Sequence, residues 1–453
     1  MGLLRVACVL ALVAGAAVPA WADEPPTGIP TPSIASSFPQ ELADPGGIRS
    51  ALARRGITFG VNYIGEVLGN PDGGVKQSTY YDGRLEIVVE AEMEKVIGWK
   101  GLLFHANGYQ IHGESITRQN LGALMPVSFI EATVATRLFE LWFEQRLLND
   151  KVSIRFGQLA ADSEFIISDG AAAFINGTWG WPSITATNMP QGGPAYPLAT
   201  PGLRIAYAPN DQLTLMVGAY NGRPAGSCPD EEDPQVCNDH GLDFPTADPK
   251  LLMFEGAYKY NQGKGELPGT IKVGGWRNYG SFLHQRLDAN GGEIAISGND
   301  PAVLNGDHGL YAILDQMIYR LPGEGDPKGV SIFGRIIGAP EDRNPVAFYW
   351  EGGFTFTGLM AARPNDMLGI AYARTEISDD LAVNVSDSGE TTIIPSYEAV
   401  VEVSFTAQII PGFAIQPDFQ YFWNPGGHVA DADDPAEAVP NTAVLGLRTT
   451  LNY

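Results

Sequence analysis

The chain has 453 residues, 44% of them hydrophobic and 10% aromatic, and a formal net charge of −24. Such an acidic chain offers no basic surface for a phosphate backbone, which argues against nucleic-acid partners. After the N-terminus no apolar run approaches the 18 residues or so of a transmembrane helix, a fact that leaves membrane strands open.

The first 22 residues read as a secretory signal. Arg5 supplies the positive end, Val6 to Val18 the apolar run, and Ala20-Trp21-Ala22 the small–x–small cleavage pattern. Cys8 leaves with it, and the mature chain is expected to start at Asp23. Residues 23–43 are rich in Pro, Ser and Thr and read as a flexible leader. Asp44-Pro45 then offers a helix start, Ile48 to Arg55 a short helix and Gly56 a stop, so 23–56 precede the main domain.

From residue 57 to 453 the chain is a series of short segments alternating between apolar and polar residues. In the segment beginning at Arg84, Leu85, Ile87, Val89, Ala91 and Met93 share one side, while Glu86, Glu90, Glu92 and Glu94 share the other. An oily face and a carboxylate face suit a strand of a closed barrel, with lipid outside and water inside. The predicted strands are Ile57–Glu66, Arg84–Met93, Leu102–Ile111, Arg137–Gln145, Val152–Leu159, Gly202–Ala208, Leu213–Tyr220 and Leu251–Tyr260. The second half supplies Thr270–Asn278, Leu310–Arg320, Val330–Gly338, Tyr349–Thr357, Met367–Thr375, Glu398–Ala407, Phe413–Phe422 and Ala443–Tyr453. That is about sixteen, an even number, as single-chain outer-membrane barrels require.

Short connections rich in Asn, Asp, Gly and Pro follow every second strand, at Asn149-Asp150, Pro209-Asn210-Asp211 and Pro411-Gly412 for example. The connections between them are long, at about 160–201, 221–250, 279–309 and 376–397. Short periplasmic turns and long external loops orient the barrel, with both termini periplasmic. The expected fold class is therefore all-β, an outer-membrane antiparallel β-barrel, and the last strand ends on an aromatic residue, Tyr453. In the exported chain Cys228 and Cys237 stand nine positions apart in an acidic loop and point to a disulfide. Two free thiols are the alternative, and the spacing matches no common zinc site.

No catalytic constellation stands out: there is no G-x-S-x-G, no H-E-x-x-H and no phosphate-binding glycine loop, and no cofactor or metal is expected. A pore selective for a polar solute would need a narrow zone, hydrogen-bonding groups to replace lost hydration, and side chains that fit the solute's shape. The third external loop, about 160–201, carries Trp179, Trp181, Asp162, Glu164, Asp169 and Asn176. A loop of that length in a compact barrel is usually functional or disordered, and two tryptophans speak for function. Arg155 lies opposite Ile154 and Phe156, and Arg204 opposite Leu203 and Ile205. Both should face the lumen, because an arginine on lipid at mid-membrane costs about 2–4 kcal/mol. Glu140 and Glu144 look luminal for the same reason and are placed to pair with Arg155. Glu66, Glu90 and Arg84 extend the polar wall. Lys272, Arg335, Glu351, Glu402, Asp418 and Arg448 are expected to order water along the rest of it, and Tyr258, Trp350, Phe419 and Trp423 to face lipid.

Several longer motifs go beyond a generic barrel. They are Tyr63-Ile-Gly-Glu-Val-Leu-Gly-Asn70, Tyr109-Gln-Ile-His-Gly113, Thr136-Arg-Leu-Phe-Glu-Leu-Trp-Phe-Glu-Gln145 and Ile154-Arg-Phe-Gly-Gln-Leu-Ala-Ala-Asp162. Phe174-Ile-Asn-Gly-Thr-Trp-Gly-Trp-Pro182 and Gly193-Pro-Ala-Tyr-Pro-Leu-Ala-Thr-Pro-Gly202 complete the set. With them the mature chain resembles the OprB-type carbohydrate-selective porins, most densely between about 45 and 225. The resemblance implies a 16-stranded outer-membrane barrel passing glucose and other monosaccharides by facilitated diffusion, with the third external loop turned toward the lumen. Its partners would be carbohydrate solutes, outer-membrane lipid and lipopolysaccharide, and the barrel assembly machinery that reads the last strand. The pattern suits a monomer and a homotrimer equally. A less selective porin for ions or sugar acids, and a non-transport barrel such as an adhesin or hydrolase, are the competing readings. Tyr453 stands where Phe is expected, and the Cys228–Cys237 loop looks like a local elaboration.

Overall fold

A computed structural model describes residues 28–30, 32–229, 232–323, 328–432 and 434–453. The signal at 1–22, with Cys8 and the expected start at Asp23, lies outside the described residues.

Sixteen antiparallel strands close into one barrel, each bonded to its neighbours in sequence and β1 closing on β16. They are β1 (Ile57–Asp72), β2 (Thr79–Glu92), β3 (Leu102–Gly113), β4 (Ala135–Leu147), β5 (Val152–Leu159), β6 (Thr200–Tyr207), β7 (Leu213–Asn221) and β8 (Lys250–Tyr260). Then follow β9 (Gly269–Asp288), β10 (Pro301–Arg320), β11 (Gly329–Gly338), β12 (Val346–Thr357), β13 (Met367–Ile377), β14 (Tyr397–Ile410), β15 (Phe413–Trp423) and β16 (Thr442–Asn452). Each predicted strand corresponds to one of these.

Alternation of side chains explains the closure. On β5 and β6, Phe156, Leu203 and Ile205 are exposed on the outer face, whereas Arg155 and Arg204 are buried on the inner one. A closed sheet leaves no unpaired edge in lipid, where an unsatisfied backbone group is costly. Gly157 illustrates how tightly the strands run. It has φ +141°, and a Cβ there would stand 2.2 Å from the Leu141 carbonyl oxygen, so only glycine fits.

Three details differ from the sequence expectation. The stretch at 279–309 is mostly strand, because β9 and β10 each run 20 residues and leave only 289–300 as loop. The external connections at 73–78 and 339–345 are as short as the periplasmic ones, so loop length segregates less strictly than expected. The described part of the leader is packed: Ile29, Ala35 and Ala43 cluster against Tyr453. The Ile48–Ala53 helix follows. It sets the Arg49 guanidinium over the rings of Phe59 and Tyr453, 4.2 and 4.8 Å from their centroids.

Candidate pore site

Two external loops, not one, turn into the barrel. Loop 3 spans 160–199 and loop 2 spans 114–134. Leu121, Met125 and Val127 of loop 2, together with Phe165, Ile166, Phe174 and Ile184 of loop 3, are almost wholly buried inside the barrel. The loops touch each other, as Phe129 N–H donates to the Ile175 carbonyl at 3.0 Å and Gly177 N–H to that of Pro126 at 2.8 Å. Sequence reasoning missed loop 2. The available signal was a run of large apolar residues, Leu121 to Ile130, in a connection that should otherwise be polar.

Along β8 to β15 the wall's charged groups hold these loops by their backbones. Glu402 accepts from the N–H groups of Ile175 and Asn176 at 2.5 and 3.1 Å, and from the Trp179 indole at 2.6 Å. Glu398 accepts from the N–H groups of Leu124, Met125 and Gly426. Glu255 accepts from Ile166 N–H, and Asp315 from Gly170 N–H. Arg335 donates to the carbonyls of Ile166, Thr178 and Trp179 while pairing with Glu351 at 2.8 Å. Lys272 donates to the Ile167 carbonyl at 2.6 Å. Irregular backbone carries polar groups that burial would strand, and these side chains satisfy them. The expectation that Lys272, Arg335, Glu351 and Glu402 order water is thereby corrected. Small residues provide the room: a Cβ on Gly369 would meet the Phe174 ring at 2.7 Å, and one on Gly170 the Phe333 ring at 2.6 Å.

The β4–β6 wall is arranged differently. Arg155 and Arg204 are register partners on adjacent strands, and Glu144 pairs in register with Arg155. Arg155 binds Glu144 through Nη2 and Nε at 2.8 and 3.0 Å, and binds Glu164 through Nη1. Arg204 reaches Glu164 at 2.9 and 3.3 Å, Glu144 at 3.1 Å and Ser153 Oγ at 2.6 Å. Arg146 meets the other oxygen of Glu144 at 3.1 Å. Trp142 lies between the Arg155 guanidinium, 3.8 Å from its centroid, and the His105 ring at 4.6 Å. Charge-assisted, multiply bonded pairs of this kind are strong and fix geometry.

Arg155, Arg204, Glu144 and Glu164 meet in one network. Glu140 is buried beside it and accepts from Ala160 N–H and Ser163, with no ion pair to Arg155. Asp162 accepts from Tyr196 N–H at 2.8 Å and so closes the neck of loop 3; burial pushes its carboxyl up to about 7. Asp169 is exposed. Trp181 is half-buried and donates to the Gly192 carbonyl. Trp179 and Asn176 depart from expectation. Trp179 is 3% exposed, its ring 5.1 and 6.2 Å from those of Phe174 and Phe333. Asn176 is buried on Gln420. Neither offers a free face, because Glu402 and β15 hold that corner of the loop. Glu66 is buried against Arg448, and Arg84 beneath the rings of Tyr109, Tyr196 and Phe129, so loops 2 and 3 cover that part of the wall. Glu90 keeps some exposure and meets His105 at 3.3 Å.

Cys228 and Cys237 form a disulfide within loop 4, at 222–249. That loop docks on loop 2 through Arg118–Asp233 at 2.7 Å and on β4 through Arg137 to the Asn238 carbonyl.

The model of the family described as "Carbohydrate-selective porin, OprB family" matches residues 76–453. The chain belongs to the OprB family. Porin B of Pseudomonas aeruginosa is 24% identical over 430 residues, covering 90% of each chain. The protein named putative porin QuiX of Acinetobacter baylyi is 22% identical, covering 91% of this chain and 92% of its own. A high-pH structure of Pseudomonas putida OprB superposes with a TM-score of 0.79 at 21% identity, covering 90% of this chain and 97% of that one. This protein of the OprB family is thus an outer-membrane carbohydrate porin, a channel built as a 16-stranded β-barrel.

Proposed function

We propose that the pore passes neutral monosaccharides, glucose among them, by facilitated diffusion between loop 3 and the β2–β6 wall. The observation that carries this reading is the network of Arg155, Arg204, Glu144 and Glu164. It is where wall charges pair with one another rather than with loop backbone, and a small part of it, 8% of Arg155 and 4% each of Arg204 and Glu144, stays exposed. Guanidinium N–H groups there would donate to sugar hydroxyl oxygens, and carboxylate lone pairs would accept from hydroxyls. Glu86, Glu90, Arg146 and Asp169 would extend the polar path, since each retains exposure. Trp181 is the aromatic we assign to stacking. Trp179, Asn176, Arg84 and Glu66 are assigned to holding loops.

Binding must be weak for release, and no energy source enters: solute moves down its gradient. Lipopolysaccharide around the barrel, delivery by the assembly machinery through β16, and a monomeric or trimeric state belong to the same proposal.

Block of ion current by a panel of sugars in planar bilayers, with liposome swelling, tests it. Glucose should block and permeate, and a disaccharide should permeate more slowly. Equal rates for glucose and the disaccharide would sink the monosaccharide reading.

A further inference from the structure

We propose that Glu164 makes this pore prefer uncharged sugars over sugar acids, by neutralising a pair of arginines that would otherwise form an anion site. The proposal rests on the sugar-channel reading above.

Two guanidiniums side by side on neighbouring strands, Arg155 and Arg204, are chemically a carboxylate receptor. The wall alone half-fills it. Among the described residues, Glu144 is the one wall carboxylate touching both arginines, and it also serves Arg146. The second compensating charge comes from loop 3. Glu164 grips Arg204 through both of its oxygens and reaches Arg155 as well. Two arginines and two glutamates then sum to zero. Glu164 stands in the first turn of the loop, where Phe165 N–H donates to Ala161 and Ile166 N–H to Glu255. The loop that narrows the pore therefore also sets the charge of its wall.

A neutral polyol would need only the small exposed part of this closed set, about a tenth of the Arg155 side chain and less of the other three. A carboxylate must displace Glu164 or lie against it. Screening limits such effects to about 8 Å at physiological salt, so this local balance, rather than the net charge of the chain, governs an anion at the narrow zone.

The test uses the full-length protein in liposomes and planar bilayers, with glucose and gluconate as probes. Glu164→Gln should raise the gluconate-to-glucose flux ratio roughly tenfold and move the reversal potential under a KCl gradient toward the anion. The double variant Glu164→Gln with Arg204→Gln removes one charge of each sign and should return the reversal potential to that of the wild type. A folded Glu164→Gln barrel with an unchanged ratio overturns the proposal, as does a double variant as anion-permissive as the single one. Should Glu164→Gln not fold, Arg204→Gln alone leaves the site one charge more negative and should move the reversal potential toward the cation; no change there overturns the proposal equally. A wild-type protein that fails to pass glucose refutes the sugar-channel reading instead.

Discussion

The Glu144–Arg155–Arg204 cluster of β4–β6 and the β8–β15 wall carry the same kinds of residues and use them in opposite ways, although Glu140 and Arg137 of β4 also bond to loop backbone. On β8–β15, Glu255, Asp315, Arg335, Glu398 and Glu402 spend their hydrogen bonds on the backbones of loops 2 and 3. On β4–β6, Glu144, Arg155 and Arg204 bond to each other and to one loop side chain, Glu164. A charge facing the lumen is therefore not by itself a contact for solute. What decides is whether a loop already occupies it.

The largest expected effect breaks the β8–β15 side. Arg335→Met leaves Glu351 buried without its cation and three loop carbonyls without a donor, and breaking a buried pair in this way costs about 3–5 kcal/mol. The barrel should lose its heat resistance on gels at a clearly lower temperature, and single-channel conductance should rise as loop 3 is released. Glu402→Leu strands the Ile175, Asn176 and Trp179 donors, with each unsatisfied group worth about 1–3 kcal/mol. Its signature is protease cleavage within 160–199 while the barrel persists.

Substitutions on the β4–β6 side should reverse the pattern. Arg204→Gln should weaken sugar block of ion current by roughly tenfold, the weight of one charge-assisted hydrogen bond, with a smaller loss of thermal stability than Arg335→Met because Arg155 still pairs with both Glu144 and Glu164. If it destabilises the barrel as much as Arg335→Met does, the distinction between the two walls fails. The tryptophans sharpen the same contrast. Trp181→Ala should weaken sugar block several-fold, about 1 kcal/mol, the low end for a stacking ring, whereas Trp179→Phe should alter loop stability and leave the block constant unmoved.

The smallest effect is in pH. Burial raises Asp162 and Glu131, both in loops, to about 7, against hydrogen bonds that favour their ionised forms. Each carboxyl thus holds its proton more tightly in the infolded loop than in an unfolded chain. Their contribution is complete below about pH 4 and is lost as pH rises through 7. Protection from hydrogen exchange at 114–134 and 160–199, taken relative to free amides at the same pH, should fall between pH 6 and 8, and Asp162→Asn with Glu131→Gln should flatten that fall.

The barrel was legible because alternation has a period of two and each strand carries it locally. Arg155 between Ile154 and Phe156, and Arg204 between Leu203 and Ile205, announce their inward direction without any neighbour. The lengths of β9 and β10 were less legible, since above the membrane no lipid enforces an apolar face. The network at Glu144, Glu164, Arg155 and Arg204 was legible as four separate residues. Trp179 was misjudged because an indole that stacks on sugar and one that hydrogen-bonds a wall glutamate look alike in sequence.

The sequence by itself determined sixteen strands and their inner and outer faces, because burial in lipid acts residue by residue; the inward turn of loop 3 was implied by the family resemblance. Only the tertiary structure decided that loop 2 enters too, that Glu402 holds Trp179, and that Glu164 closes the arginine pair. Those facts depend on groups far apart in the chain, such as Glu398 and Leu124, whose meeting is set by how loops cross a closed barrel.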